Sequence, residues 1–277
     1  MDGARFEVVI IGAGQAGLAV SHELGRAGVP HVVLERGRVG QTWRGRWDSF
    51  RLVAPNWTTR LPGQTYDGPD PDGFDHREQI VGFLERYATA GDLPVWEGVE
   101  VTSLEPRPAG GFVLRTSAGR LEAERVVLAT GAYQRPHRPA GAATLPGDLL
   151  QIDAEGYRNP AQLPPGPVLV IGSGQTGSQI AEELADAGRD VFLACGRAPW
   201  APRRINGHDA VWWALKTGFL DAPVGSLPDP SARLAGNVLA TGHDGGRDIH
   251  LRTLRSRGVT LLGRFLGPRA ATLGSRS

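Results

Sequence analysis

Two copies of one glycine-punctuated segment constrain this chain more than any other feature. Ile10-Ile11-Gly12-Ala13-Gly14-Gln15-Ala16-Gly17 recurs as Val170-Ile171-Gly172-Ser173-Gly174-Gln175-Thr176-Gly177. The register then holds beyond the glycines: Glu23-Leu24 meets Glu183-Leu184, Ala27-Gly28 meets Ala187-Gly188, and Val32-Val33-Leu34 meets Phe192-Leu193-Ala194. In each copy a short apolar run enters the glycines, and a stretch with helical apolar spacing ends at Gly28 or Gly188. A second apolar run follows, so each copy reads as a parallel βαβ unit. An α/β fold is expected, with two tandem Rossmann-like dinucleotide-binding domains built from parallel sheets and flanking helices.

The glycines have a chemical reading. A pyrophosphate can rest on the free N–H groups at a helix N-terminus, where the helix dipole favours negative charge, provided no side chain blocks the approach. Gly12 and Gly172 then permit the tight turn, Gly14 and Gly174 admit the phosphates, and Gly17 and Gly177 let helix pack on strand. Gln15, Ala16, Gln175 and Thr176 lie between them as further cofactor-binding candidates. The end of the second strand separates the sites. Glu35, followed by Arg36, offers a carboxylate to both hydroxyls of an adenosine ribose, which suits FAD or NAD. The matching position in the second copy is Cys195, followed by Gly196-Arg197, so no carboxylate repels a 2′-phosphate and a guanidinium stands close by. That suits NADPH, with Arg197 as the first candidate phosphate ligand and Arg203 and Arg204 as further ones. A solvated loop arginine is the lesser alternative for Arg197, whereas Arg203 and Arg204 are each as readily solvated charges.

Composition narrows the remaining choices. Thirty basic and 29 acidic side chains nearly cancel, which gives no electrostatic case for nucleic acid or an anionic membrane. The sequence has no stretch of about 18 uninterrupted apolar residues and no leader pattern before Val8, so a cytoplasmic location is expected. Cys195 is the single cysteine, which removes disulfides and Cys-x-x-Cys redox pairs, and the seven histidines lack metal-ligand spacing. No metal is expected. Between the two copies Val126-Val127-Leu128-Ala129 reads as another buried strand, and seven prolines between residues 136 and 167 mark the domain boundary.

Four segments together resemble the NADPH-dependent flavin monooxygenases, the group of flavin-containing and Baeyer–Villiger enzymes. They are the two fingerprints, Val39-Gly40-Gln41-Thr42-Trp43-Arg44, and Leu128-Ala129-Thr130-Gly131. The resemblance implies FAD in the first domain (residues 1–140), a linker (141–167), NADPH in the second (168–268) and a polar tail (269–277). It implies transfer of one oxygen of O₂ to a small organic substrate through a flavin C4a-peroxide. It also implies that Thr42, Trp43 and Arg44 lie beside the flavin, with Thr130 and Gly131 at the strand end linking the domains and Trp47 to Trp57 on the substrate side.

Departures from the family pattern are informative. Gln41 replaces a glycine, and Asp153, Gly147 and Leu149 stand where the linker motif has His, Phe and Gly. Asn56 cannot be equated with the asparagine that some members place near the oxygen adduct, so no catalytic residue is assigned. Gly258-Val259-Thr260-Leu261-Leu262 reads as a last strand of the second domain, and no second Ala-Thr-Gly strand returning to the first domain is recognised. The expectation is a truncated member with an unpaired sheet edge that invites homo-oligomer formation. Two other readings stay open: a flavin reductase without oxygenation, and a non-catalytic fragment that binds a dinucleotide.

Overall fold

The computed structural model describes residues 3–236 and 238–267, so the expected polar tail lies outside the described residues. These residues form two compact units that meet in sequence between Arg135 and Pro136.

The first unit begins with the first copy of the repeat. Strand β1 (Ala4–Ile11) enters the glycine turn, α1 (Gln15–Arg26) leaves it, and β2 (His31–Glu35) returns beside β1 in parallel register. Gly28, with φ +68°, ends the helix in the left-handed conformation that glycine adopts without strain. A four-residue helix α2 (Gln41–Arg44), a small hairpin of β3 (Arg60–Leu61) and β4 (Gln64–Thr65), and helix α3 (Arg77–Ala90) follow. Strand β5 (Val95–Glu97) then joins β2, and β6 (Val101–Pro106), β7 (Phe112–Thr116) and β8 (Gly119–Leu128) form an antiparallel meander. The resulting six-stranded mixed sheet has the order β5-β2-β1-β8-β7-β6, in which β8 runs parallel to β1.

Each face of this sheet has its own core. Val8, Ile10 and Val33 pack under Leu18 of α1 and Phe83, Leu84 and Tyr87 of α3. Val9, Val32 and Leu34 pack on the other side with Val99, Leu114, Leu121 and Ala123. Alternation along the strands sends successive side chains to opposite faces, which explains why the continuous apolar runs of β1 and β2 are fully used. The meander leaves one asymmetry. β7 pairs only with Gly119–Ala123, so among the described residues Glu124–Leu128 has β1 on one side and no strand on the other. Leu128 is 66% exposed there, although the sequence pattern reads as a buried strand.

The second unit holds the second copy. β9 (Val168–Ile171), α4 (Gln175–Asp186) and β10 (Val191–Ala194) repeat the strand, helix and strand order, and the last strand of the unit completes a three-stranded parallel sheet. A hairpin of β11 (Arg204–Ile205) and β12 (His208–Asp209) leads into α5 (Ala210–Lys216). Helix α6 (Leu251–Ser256) precedes β13 (Thr260–Leu262), which pairs with β10. The Pro-rich segment before β9 is not loose. Arg189 donates to the carbonyls of Pro160 and Leu163 at 3.3 and 3.4 Å and to Pro164 and Gly166 at 2.5 and 2.9 Å. Tyr157, 4% exposed, donates its hydroxyl to Glu183 of α4 at 2.7 Å. Asp153, which stands in the position of the linker-motif histidine, receives Arg138 in a two-point ion pair at 2.8 Å per bond. No described helix is long and apolar enough to cross a membrane.

Candidate functional site

Both glycine turns are shaped by backbone contact at some positions and by empty space at others. Gly12 has φ +109°, and a Cβ there would lie 2.4 Å from the Ala129 carbonyl oxygen, so no other residue fits. A Cβ on Gly17 would meet the Gly12 carbonyl oxygen at 1.9 Å, and one on Gly177 would meet the Gly172 carbonyl oxygen at 1.8 Å. These glycines serve the crossing of strand and helix. Gly14 and Gly174 differ, because a Cβ on either would meet nothing within 4 Å. They face open space, and no side chain caps the helix behind them. The N–H groups in the first turns of α1 and α4, at Gln15, Ala16 and Gly17 and at Gln175, Thr176 and Gly177, have no intrahelical acceptor. Two uncapped helix ends facing unobstructed space fit the pyrophosphate of a dinucleotide.

The flanking loops differ between the copies. Glu35, buried at the end of β2, accepts from the Ala13 N–H at 2.8 Å through Oε2 and from the Gly37 N–H at 2.9 Å through Oε1. The carboxylate is thereby fixed against the turn, with further lone pairs open to a ribose. Arg36 beside it is exposed. In the second unit the bond runs the other way. The Gly196 N–H donates to Ser173 Oγ at 3.0 Å, and the Cys195 N–H donates to the Leu262 carbonyl at 3.1 Å. Burial pushes the Cys195 thiol up, against the lowering effect of its hydrogen-bond partners, so it is not a poised thiolate.

The three candidate phosphate arginines separate. Arg197 and Arg204 are exposed. Arg203 is not available: its side chain is 5% exposed and its Nε lies 2.7 Å from Oδ2 of Asp209, itself 6% exposed. The Asn206-Gly207 turn brings the two together, and Asp209 also caps α5 through the Val211 N–H at 2.9 Å. Arg203 is thus a structural ion-pair residue, which corrects its reading as a phosphate ligand. Burial pulls its guanidinium below the usual value while Asp209 opposes the shift.

Several other predicted side chains are committed within the protein. Arg44 donates to the Val39 carbonyl at 3.1 Å and pairs with Glu85, so it braces the turn before α2. Trp43 is half-buried, packs on the α3 face of the core, and lies 5.7 Å from Phe50, ring to ring. Thr42 is exposed, as are Thr130 and Gly131, and the Thr130 carbonyl accepts from Gln134. Of the stretch expected on the substrate side, Trp47 and Phe50 are core residues, 2% and 7% exposed, in edge-on contact. Asn56 is fully engaged: its amide donates to the Asp70 carbonyl at 2.9 Å and to the Tyr66 hydroxyl at 3.3 Å, and its oxygen accepts from the Asp75 N–H at 2.6 Å. That arrangement staples a loop.

One segment escaped the sequence reading. Val238-Leu239-Ala240-Thr241-Gly242 repeats Val127-Leu128-Ala129-Thr130-Gly131 residue for residue. The first copy packs directly on its glycine turn, where Ala129 meets Gly12 and Gly17. The second copy lies in the second unit and is held by Gln175, whose side-chain amide donates to the Ala240 carbonyl and accepts from the Ala240 N–H at 2.9 Å. The side chain of Gln175 is therefore spent on Ala240, and only its backbone N–H can face a phosphate. A search for the Ala-Thr-Gly string alone would have found this segment.

Comparison with known proteins agrees with this architecture. The profile of the family described as pyridine nucleotide-disulphide oxidoreductase matches residues 9–211. A protein of Geobacillus kaustophilus, named as an uncharacterized CzcO-like oxidoreductase, is 38% identical over 222 residues, covering 79% of this chain and 63% of its own length. The indole-3-pyruvate monooxygenase YUCCA4 of Oryza sativa is 28% identical over 263 residues, 80% of this chain and 59% of its own. The chain therefore spans about three fifths of the length of these relatives. A flavin monooxygenase from Stenotrophomonas maltophilia shares the fold with a TM-score of 0.72 at 23% identity, covering 96% of this chain and 72% of that one.

Proposed function

Because the chain belongs to the pyridine nucleotide-disulphide oxidoreductase family, we propose that it is a flavin-dependent monooxygenase that holds FAD on its first glycine turn and NADPH on its second. The substrate is a small organic molecule. The observation that carries this reading is the pair of uncapped helix ends above which Gly14 and Gly174 leave open space. When bound, FAD supplies redox chemistry with O₂, and NADPH supplies the hydride.

The chain's own residues bind and orient. The first-turn N–H groups of α1 and α4 take the two pyrophosphates. Glu35, already fixed by two backbone donors, presents its remaining lone pairs to the adenosine ribose of FAD. Arg197 and Arg204 offer positive charge to the 2′-phosphate of NADPH from exposed positions. Thr42, Trp43, Thr130 and Gly131 are proposed as the flavin-proximal positions, with Arg44 holding the α2 turn in place through Val39 and Glu85. In this reading both units are Rossmann-like, with the FAD part in residues 1–140 and the NADPH part in 168–268. A dithiol reductase is disfavoured, since the sequence offers one cysteine and that chemistry needs two.

The test is the absorption spectrum of the purified chain with flavin counted per polypeptide, followed by NADPH and O₂ consumption. A yellow protein that consumes both together and oxygenates a substrate supports the reading. NADPH oxidation under nitrogen with an added acceptor, and no oxygenated product in air, replaces it by a reductase. A protein that stays colourless after reconstitution with FAD overturns it.

A further inference from the structure

We propose that Ser173 is a specificity-determining residue of the second nucleotide site: its neutral hydroxyl replaces a carboxylate as the latch between glycine turn and ribose loop, leaving room for a 2′-phosphate. The inference rests on reading the second unit as the NADPH site. It comes from comparing the two copies position by position.

In the repeat register Ala13 matches Ser173 and Glu35 matches Cys195. The first copy ties loop to turn through an acidic side chain on the loop, with Glu35 accepting from the Ala13 and Gly37 N–H groups. The second copy makes the same tie with its polarity reversed, as the loop N–H of Gly196 donates to a hydroxyl on the turn. Ser173 is 1% exposed, so its hydroxyl is enclosed by protein and has little freedom to turn elsewhere, while the donor Gly196 sits on the exposed loop. Removing the carboxylate without a substitute would leave the loop untied from the glycine turn. Ser173 restores the fastening without the negative charge that would oppose a dianionic phosphate.

The latch also bears on Arg197. The two residues before it are each held by a backbone donor, Cys195 N–H on the Leu262 carbonyl and Gly196 N–H on Ser173. The exposed arginine therefore springs from a fixed loop, and less conformational freedom is lost when its guanidinium engages phosphate. Ser173 itself is a positioning residue and need not touch the ligand's phosphate.

The experiment is equilibrium titration of the purified full chain with two redox-inert probes that differ only in the 2′-phosphate, adenosine 2′,5′-bisphosphate and 5′-AMP. Ser173→Ala is expected to weaken the bisphosphate by about three- to ten-fold, the range of one net hydrogen bond, and 5′-AMP by less than about two-fold. Ser173→Cys, close in size but a weak acceptor, is expected to move the same way, and thermal unfolding identifies the variant that stays folded. In a double-mutant cycle the loss from Arg197→Ala should be smaller in the Ser173→Ala background than in the wild type. A wild type that prefers the bisphosphate, with a folded Ser173 variant that keeps the full preference or weakens both probes equally, overturns the latch. A wild type with no preference overturns the NADPH assignment itself, a separate and recognisable result.

Discussion

Alanine at Gly14 and alanine at Gly17, two positions of one turn, should fail in opposite ways. At Gly17 the new methyl would sit 1.9 Å from the Gly12 carbonyl oxygen, whereas ordinary contact begins near 3.4 Å. Strand and helix must separate by more than an ångström, and overpacking of that order costs about 3 kcal/mol or more. For a protein of this size that corresponds to a fall in Tm of roughly 6–12 °C. At Gly14 the methyl meets nothing within 4 Å, and φ −87° suits any residue. The loss of a glycine N-cap and the reduced entropy of the unfolded chain are each about 0.5–1 kcal/mol and opposite in sign, so stability should barely move. Flavin binding should nevertheless collapse, since the methyl stands where the pyrophosphate must approach. Losing one or two charge-assisted hydrogen bonds lowers affinity by roughly ten-fold to a hundred-fold or more. Thermal unfolding and flavin per polypeptide read the two effects separately. Should Gly14→Ala bind FAD at wild-type stoichiometry, or melt as early as Gly17→Ala, the division into packing glycines and ligand glycines is wrong.

Three further outcomes are expected. Arg203→Ala should destabilise the second unit by about 3–5 kcal/mol, because Asp209 is left buried without its partner, while Arg197→Ala should leave unfolding unchanged and weaken NADPH; equal effects of the two on stability would contradict the burial argument. Burial raises the folded-state pKa of Glu182 and the Arg247 guanidinium only partly opposes it, so its contribution is full below the unfolded carboxylate value of about 4.3 and is lost as pH rises through the raised one. The stability advantage of wild type over Glu182→Gln in urea should therefore shrink between acid and neutral pH, and growth of that advantage would show the ion pair to dominate. For Asp153 the sign reverses, since Arg138 lowers its pKa and the contribution is lost as pH falls through the folded value. Asp153→Asn should flatten that acid limb, and an unaltered limb would mean the pair is idle in solution.

Much of the fold was legible because the repeat states its structure twice. The strand, turn, helix and strand of each copy lie where periodicity places them, with Gly28 and Gly188 both at positive φ as helix terminators. Gly258 to Leu262 was read as a strand and β13 occupies Thr260–Leu262. Strands β6 and β7, the first half of β8 and helix α3 were not read, though Gly110-Gly111 at positive φ marks one of the meander's turns. Leu128 was read as part of a buried strand; the strand is present, but among the described residues no strand lies on its far side, and no local pattern reports which neighbours a strand has. The misreading of Arg203 has the same origin. Its partner lies across a hairpin whose Asn206-Gly207 signal was in plain view, but the burial that closes the guanidinium off comes from tertiary packing. Ser173 was seen only as an x in a glycine pattern, since its bond to Gly196 depends on two loops meeting.

A stretch dense in proline is short of hydrogen-bond donors, since each proline contributes a carbonyl and no N–H. Four carbonyls between Pro160 and Gly166, two of them on proline, are gathered by the single guanidinium of Arg189, from the turn between α4 and β10. Lysine has three donors on one atom in place of a planar fork, so it could not span the same four oxygens. The run-up to β9 is consequently stitched to the back of its own βαβ layer, and a protease working on the native protein should find this proline-rich stretch a poor place to cut despite its composition.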